Sequence, residues 1–417
     1  MLQQADLRGA IKEFERAIKA DASLLESHWL RALTLTQAGR AREAETVLAG
    51  LRRRHRDNAD ICHAHSEALL RLGRGEEMCR AVDDGLLLNP GHFSLVQQKV
   101  HAARFAGNYT EAVAYALRAF ALQPNLAAAR LEVGLLLMLT GSVREALPFY
   151  EARHYSGRHP GRRWLGEATD QALTILAEQG LGDVLQACRY YPAVAALAPA
   201  VEFHVHKSLR GLIARSFPDL KIVAGYDTVP QTPQHAWCMD LPGFFEGIVK
   251  PVPRYLQADP ARCDAWEKRL PADGVKVGLA WQGNPDFRHD GFRSLPLARF
   301  APLADVAHLH LVSLRIESPP RNAPVPLLDF SRDLRDFEDT AALVENLDLV
   351  ITTDTSVAHL AGALGKECWV LLQRPYDWRW GIEGEESALY PNTRLLRDAA
   401  MTDVRGRLLK RFGDRLT

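Results

Sequence analysis

The sequence predicts an α-helical repeat superhelix followed by an α/β region of two parallel-sheet lobes, and three observations carry that expectation. Gly39, Gly73, Gly107 and Gly141 recur at one spacing, 34 residues, across the first third of the chain. Beyond residue 166, short β-branched or apolar runs alternate with helical stretches, the pattern of parallel βαβ units. A Pro-rich stretch from Pro230 to Pro260 divides those units into a short group and a longer one.

Bulk properties bound the reading. A chain of 417 residues accommodates two or three domains. Lys+Arg and Asp+Glu both number 51, so no global field favours nucleic acid or an anionic membrane. The basic run Arg52-Arg53-Arg54-His55-Arg56 reads as a solvated helix end, because Asp57 and Asp60 follow at once. Cys62, Cys79, Cys188, Cys238, Cys263 and Cys368 form no C-x-x-C pair, which argues against a zinc knuckle or disulfide framework and fits a reducing cytosol. No secretory signal opens the chain and no apolar run is long enough to span a bilayer, so a cytoplasmic protein is expected.

The repeat register extends beyond its glycines. Five residues after each glycine, and after Ala5 one period earlier, stand Ala10, Ala44, Met78, Ala112 and Ala146. Four residues further come Phe14, Leu48, Val82, Ala116 and Tyr150, and Pro90 and Pro124 lie one period apart. Small residues early in the second helix let paired helices approach, and Pro stops that helix before the next unit. Two amphipathic helices per 34 residues, with Gly at the turn, resemble the tetratricopeptide repeat. Met1 falls just before the second helix of a unit, so the first repeat lacks its first helix, as either a misassigned start codon or a longer natural chain would leave it. Such arrays carry no chemistry themselves; their concave surface suits an extended peptide or a partner protein.

The second region divides as a linker over 154–166 (HYSGRHPGRRWLG), a first lobe over 167–260, a second over 261–400 and a C-terminal helix over 401–417, behind repeats at 1–153. Expected strands are 172–179, 201–206, 221–225, 276–283, 308–315, 347–354 and 367–373, with helices expected from about Asp183 to Ala198, over 208–217 and from about Pro296. Three segments between them carry candidate chemistry. In 347–372, a buried strand ends at Thr353-Asp354, and Thr355 and Ser356 open a helix with His359 about one turn in. A strand's carboxyl end followed by a helix N-terminus offers free N–H groups and a positive dipole end, a natural seat for phosphate; the competing reading is that Asp354, Thr355 and Ser356 only cap the helix. At the start of the first lobe, Gly180 and Gly182 let backbone come close to a ligand, and Asp183 stands on the first turn of the next helix, as a general base or as a dipole-stabilising acid. In 277–303, a strand leads into Trp281, Gly283 and Asn284 and then a polar loop with Arg288, His289 and Arg293; Arg288 reads equally as a sugar or base contact or as a surface charge.

The stretch Asp354-Thr355-Ser356-Val357-Ala358-His359-Leu360-Ala361-Gly362-Ala363-Leu364-Gly365-Lys366 resembles the nucleotide-sugar signature of the heptosyltransferase family, glycosyltransferase family 9. It is also similar to the C-terminal lobes of tetratricopeptide-linked glycosyltransferases of the bacterial O-GlcNAc-transferase-like kind, which continue as here with Asp377-Trp378-Arg379-Trp380 and Leu389-Tyr390-Pro391. The resemblance implies the GT-B fold, two Rossmann-like lobes, and a donor diphosphate held by Thr355, Ser356 and His359. It implies Asp183 as the base that takes the acceptor's proton, with a longer interval to Pro192 than in the heptosyltransferases, and Arg293 as the phosphate clamp where those enzymes more often carry Lys. Base contacts are expected around Val312–Glu317, including Leu314, and sugar or base contacts from Trp378 and Trp380. No metal and no cofactor is expected, because GT-B enzymes neutralise the leaving diphosphate with helix dipoles and basic side chains. His204 and His206 share a strand face without a third ligand nearby, the acidic run Asp333–Asp339 reads as a loop and helix start, and Cys188 reads as core. The expected activity is transfer of a sugar from a nucleotide-diphosphate donor to a hydroxyl, inverting, on a protein held by the repeats. The alternatives are a non-catalytic scaffold with a degenerate sugar-nucleotide lobe, and a glycan or lipid-linked acceptor.

Overall fold

The computed structural model describes residues 2–153, 161–225, 232–245, 253–285, 287 and 290–416. The chain forms two compact units. The first holds the helical repeats together with Asn284–Phe292 and Arg374–Ile382; the second holds the remainder of the α/β region.

Among the described residues nine helices build the repeats: α1 (Leu2–Ala20), α2 (Leu25–Gln37), α3 (Ala41–Arg54), α4 (Ala59–Arg71), α5 (Gly75–Leu88), α6 (Phe93–Ala106), α7 (Tyr109–Leu122), α8 (Ala127–Leu139) and α9 (Val143–Tyr150). The periodic glycines sit at the turns α2–α3, α4–α5, α6–α7 and α8–α9, with φ of 81°, 68°, 77° and 87°. Each turn repeats one hydrogen-bond pattern. The residue after the glycine donates back to the carbonyl five residues earlier: Arg40 to Leu35, Arg74 to Leu69, Asn108 to Ala103 and Ser142 to Leu137, at 2.8 to 3.0 Å. This is the Schellman closure, which needs a left-handed residue at the glycine position. Ala44, Met78, Ala112 and Ala146 are fully buried, as are Leu48 and Val82 one helical turn on. The register is therefore a tetratricopeptide array in geometry as well as in spacing. The units cannot bury their apolar faces singly, so each stacks on its neighbours.

Two non-repeat segments complete this unit. Phe292 joins a cluster with Leu69, Leu70, Met78, Ala81, Val82 and Ala102, and its ring lies 5.9 Å from that of Phe105. The carbonyl of Gly291 covers Gly73, where an added Cβ would lie 2.7 Å away. One repeat further on, Arg374 covers Gly107 in the same way, and Arg104 Nη2 donates to the Tyr376 carbonyl at 3.1 Å.

The second unit contains two parallel five-stranded sheets. The first is built from β1 (Arg162–Arg163), β2 (Leu173–Leu176), β3 (Val201–Val205), β4 (Lys221–Ala224) and β5 (Gln234–Trp237), in the order β1-β5-β2-β3-β4. The second is built from β6 (Val275–Ala280), β7 (Leu309–Ser313), β8 (Leu349–Thr353), β9 (Cys368–Leu372) and β10 (Thr393–Arg397), in the order β10-β9-β8-β6-β7. Helices α10 (Leu181–Ala187), α11 (Tyr191–Ala195), α12 (Arg210–Ser216) and α13 (Leu241–Phe244) serve the first sheet. Helices α14 (Pro260–Glu267), α15 (Asp290–Arg293), α16 (Phe337–Glu345), α17 (Ser356–Ala363) and α18 (Met401–Phe412) follow. Both strand orders reverse direction once, at β2/β5 in the first sheet and β6/β8 in the second. Open parallel sheets bind ligands outside the carboxyl ends of the strands at that reversal.

The core of the second lobe packs Val277, Leu279, Ile351, Trp369 and Phe300 with the inner face of α18, Val404, Leu408 and Phe412. In the first lobe Tyr191 stacks on Phe203 at 4.0 Å. Several elements differ from expectation. The supposed linker contributes β1, while its residues 154–160 lie outside the described residues. The Pro-rich stretch contributes β5, and β10 was not expected. The long helix expected over 183–198 is broken into α10, a 3-10 turn at Cys188–Tyr190 and α11, with Pro192 in the first turn of α11. The segment after Pro296 is 3-10 rather than α, with Pro302 inside it.

Candidate site at the carboxyl ends of the two sheets

The second lobe's reversal point brings two chain segments together. After β6 the chain passes through Trp281 to Gly283, and after β8 it turns at Asp354 into α17. Thr355 is the N-cap, its hydroxyl accepting from Val357 N at 3.3 Å and pairing with Thr352 Oγ1 at 2.9 Å. The hydroxyl is thus spent on the helix start, whereas Ser356 is half-buried at the first helical position. Val357 N is held by the Thr355 hydroxyl, and Ala358 N donates to the Thr355 carbonyl at 3.1 Å. Arg293 folds over the same place. Its guanidinium lies against Gly283, where an added Cβ would overlap it, and Nη1 donates to the Asp354 carbonyl at 3.3 Å. Gly283 N donates to Ser294 Oγ at 2.9 Å, closing that loop. Gly283, Arg293 and Asp354–Ser356 therefore form one group.

The first lobe's reversal loop meets it. Gln179 holds φ of 59°, a left-handed conformation rare outside glycine, and Gly180 then starts α10. Asp183 Oδ2 accepts from Gly180 N at 2.7 Å, so the carboxylate caps its own helix, and the residue is half-buried. Gly182 is packed so closely that a Cβ would lie 2.6 Å from His359 Cδ2 and 3.3 Å from Ser356 Cα. Glycine at 182 is thus demanded by contact with α17. His359 is buried, with Nδ1 2.8 Å from Tyr390 OH.

The other expected residues lie elsewhere. Trp281 is in the second lobe's core, with the Arg315 guanidinium 5.2 Å from its ring centroid. Leu314 is buried and extends β7 by donating to the Leu279 carbonyl at 3.0 Å. Asn284, Trp378 and Trp380 belong to the first unit; Trp378 meets Tyr150 edge-on at 6.4 Å, and Trp380 is buried. Arg288 and His289 lie outside the described residues. Two features escaped the sequence reading. Tyr390 carries no role of its own in the sequence motif, yet its hydroxyl lies 2.8 Å from His359 Nδ1. Arg189 is buried, donating to the Leu389 carbonyl at 2.9 Å and to Tyr255 OH at 3.3 Å.

His204 faces Glu202 at 3.4 Å and His206 Nδ1 faces Ser208 Oγ at 2.8 Å, so each is engaged locally. Among the described residues no cluster of three His, Cys, Asp or Glu is arranged to hold a metal ion. Among them, too, no helix is long and apolar enough to cross a membrane. Burial pushes the Cys188 thiol well above its ordinary range, in keeping with a core residue. The acidic run places Asp336 as N-cap of α16, with Arg262 bridging Asp336 and Asp339 at 3.0 and 2.7 Å.

No family model matches the chain. Protein FlbA of Caulobacter vibrioides is 24% identical over 395 residues, a match covering 84% of this chain and 66% of that protein. The chain thus spans slightly less than two thirds of that relative's length. Solved structures align with the repeats. MamA is 17% identical over 36% of this chain and 88% of its own, TM-score 0.31. TTC0263, a thermophilic TPR protein of Thermus thermophilus, is 24% identical over 35% of this chain and 80% of its own, TM-score 0.33. YrrB, described as a TPR protein with an unusual peptide-binding site, is 18% identical over 33% of this chain and 72% of its own, TM-score 0.30.

Proposed function

We propose that the second unit is a glycosyltransferase of the GT-B type, which moves a sugar from a nucleotide-diphosphate donor to a hydroxyl. The observation that carries this reading is the meeting of two reversal points. The Arg293–Gly283–Asp354 group and the first turn of α17 supply positive charge and N–H donors, and Gly182, the residue before Asp183, packs against that turn. The diphosphate lies on the α17 N-terminus under Arg293, which grips two oxygens at once. The acceptor hydroxyl attacks the anomeric carbon, its proton passes to Asp183, and the bond to the diphosphate oxygen breaks as the nucleoside diphosphate leaves. A single base and direct displacement give inversion. The repeat array, whose architecture suits extended peptides, presents a protein acceptor.

The cap bond from Asp183 favours one second reading, a tetratricopeptide scaffold whose α/β unit binds a nucleotide without turnover. Asp183→Asn separates the two. The amide oxygen still caps Gly180, so stability changes by less than about 1 kcal/mol. On the enzymatic reading transfer falls at least about a thousandfold while nucleotide binding persists; transfer that survives the change removes Asp183 from the mechanism.

A further inference from the structure

Arg189 is an unusual buried residue. It lies in the 3-10 turn after α10, and its described hydrogen-bond partners are neutral oxygens: the carbonyls of Gln186 and Leu389 and the hydroxyl of Tyr255. No carboxylate pairs with it among the described residues, although a buried guanidinium ordinarily has one. Its charge is met by two aromatic faces, with Cζ 5.2 Å from the Tyr255 ring centroid and 4.8 Å from that of Tyr390. Burial pushes both phenols above their ordinary range, so both keep their protons at neutral pH.

The Tyr390 ring is held from three directions. Arg189 lies over it and grips the preceding carbonyl. On α17, Gly362 leaves room for the ring, since a Cβ there would run into it. Its hydroxyl is 2.8 Å from His359 Nδ1. A cation over a phenol withdraws electron density, making the hydroxyl a better donor and a poorer acceptor. The opposite arrangement would aim an Nδ1–H dipole toward the buried positive charge. The other edge of the imidazole, Cδ2 and Nε2, is the edge that packs at Gly182, with Nε2 3.4 Å from the position of an added Cβ.

We infer that Arg189 and Tyr390 are positioning residues for His359: Tyr390 donates to Nδ1, the ring proton resides on Nε2, and an N–H donor is presented at the Gly180–Asp183 turn to an anionic group of the bound nucleotide sugar. The last clause rests on the function proposed above; the tautomer does not. The histidine is thereby fixed by the partner of its far nitrogen, because the hydrogen bond made at one ring nitrogen decides which of the two carries the proton.

The test is nitrogen NMR of the full chain carrying ¹⁵N-histidine, with His359→Gln identifying the signal. The expected pattern is a protonated Nε2 and an unprotonated Nδ1. In Tyr390→Phe, which keeps the ring and its packing, both tautomers become populated. UDP, GDP, ADP and CDP are titrated in parallel by calorimetry, and the nucleotide that binds is expected to bind about tenfold more weakly to Tyr390→Phe. Arg189→Lys should keep the Nε2–H pattern and Arg189→Met should lose it, with thermal melts showing each variant folded. A wild-type Nδ1–H signal, or an unchanged pattern in Tyr390→Phe, overturns the inference. If none of the nucleotides binds the wild type, the proposed function fails, and the tautomer pattern still decides the arrangement of Arg189, Tyr390 and His359.

Discussion

At the residue scale, Gly182 constrains the candidate site most sharply. A methyl group there would lie 2.6 Å from His359 Cδ2 and 3.3 Å from Ser356 Cα, one a side chain already held by Tyr390 and the other backbone. Neither can give way without moving the start of α17. Gly182→Ala should therefore weaken nucleotide binding at least about tenfold, roughly 1.4 kcal/mol, with little loss of helical circular dichroism. Titration with an unchanged dissociation constant would show that the contact does not shape the site. The sequence disclosed the glycine's value only as freedom for backbone to approach a ligand; the structure assigns its first contact to a histidine. Thr355 changed in a similar manner, because its hydroxyl serves the helix cap and the Thr352 hydroxyl. Neither distinction is visible in spacing, since a cap and a phosphate seat call for the same residue types at the same place.

At the element scale, legibility followed burial. Strands β6, β8 and β9 are apolar and almost wholly buried, and their sequence runs stand out. Strand β5 is buried on one side only and lies among prolines, and β10 interleaves Arg394 and Arg397 with its leucines, so neither resembles a core strand. The repeat glycines were readable because one backbone conformation, at φ between 68° and 87°, is required at every turn. Two predictions belong here. Phe292 is buried against Leu69, Leu70 and Met78 on α4 and α5, and Phe292→Ala should cost the repeat unit about 3–5 kcal/mol; a melting curve that does not move would mean the segment is not part of the repeat core. The 3-10 turn at Gly413–Arg415 is tied to the second sheet by Arg415 Nη1 on Asp348 at 2.7 Å. Burial pushes the Asp348 carboxyl up, but the Arg415 guanidinium and the Lys276 amide outweigh it and hold it below the usual range. A depressed carboxyl stabilises the folded state fully above the ordinary carboxylate value and loses that contribution as pH falls through its lowered one. Asp348→Asn should therefore narrow the gap in melting temperature between pH 7 and pH 3, and an unaltered gap would place the acid sensitivity elsewhere.

At the scale of the whole molecule, the sequence divides the chain into repeats and α/β lobes, and the structure forms one unit of helical repeats and one with two parallel five-stranded sheets. Residues 284–292 and 374–382 belong with the repeats. Neither has a helical or strand period to reveal its destination. The available signal was composition: Phe292, Tyr376, Trp378 and Trp380 are too many aromatic side chains for solvated loops. In the second unit, Gly283 and Arg293 are candidate phosphate contacts. The central claim is that those contacts bind a nucleotide diphosphate. It is tested most directly by thermal melts of the full chain with UDP, GDP, ADP and CDP, on the wild type and on Arg293→Ala. Ligand at one hundred times its dissociation constant contributes about 2.7 kcal/mol, which raises the melting temperature by roughly 5 °C in a unit of this size. We predict such a rise with at least one nucleotide and its loss in Arg293→Ala, while a wild type whose melting none of the four nucleotides shifts would contradict the account.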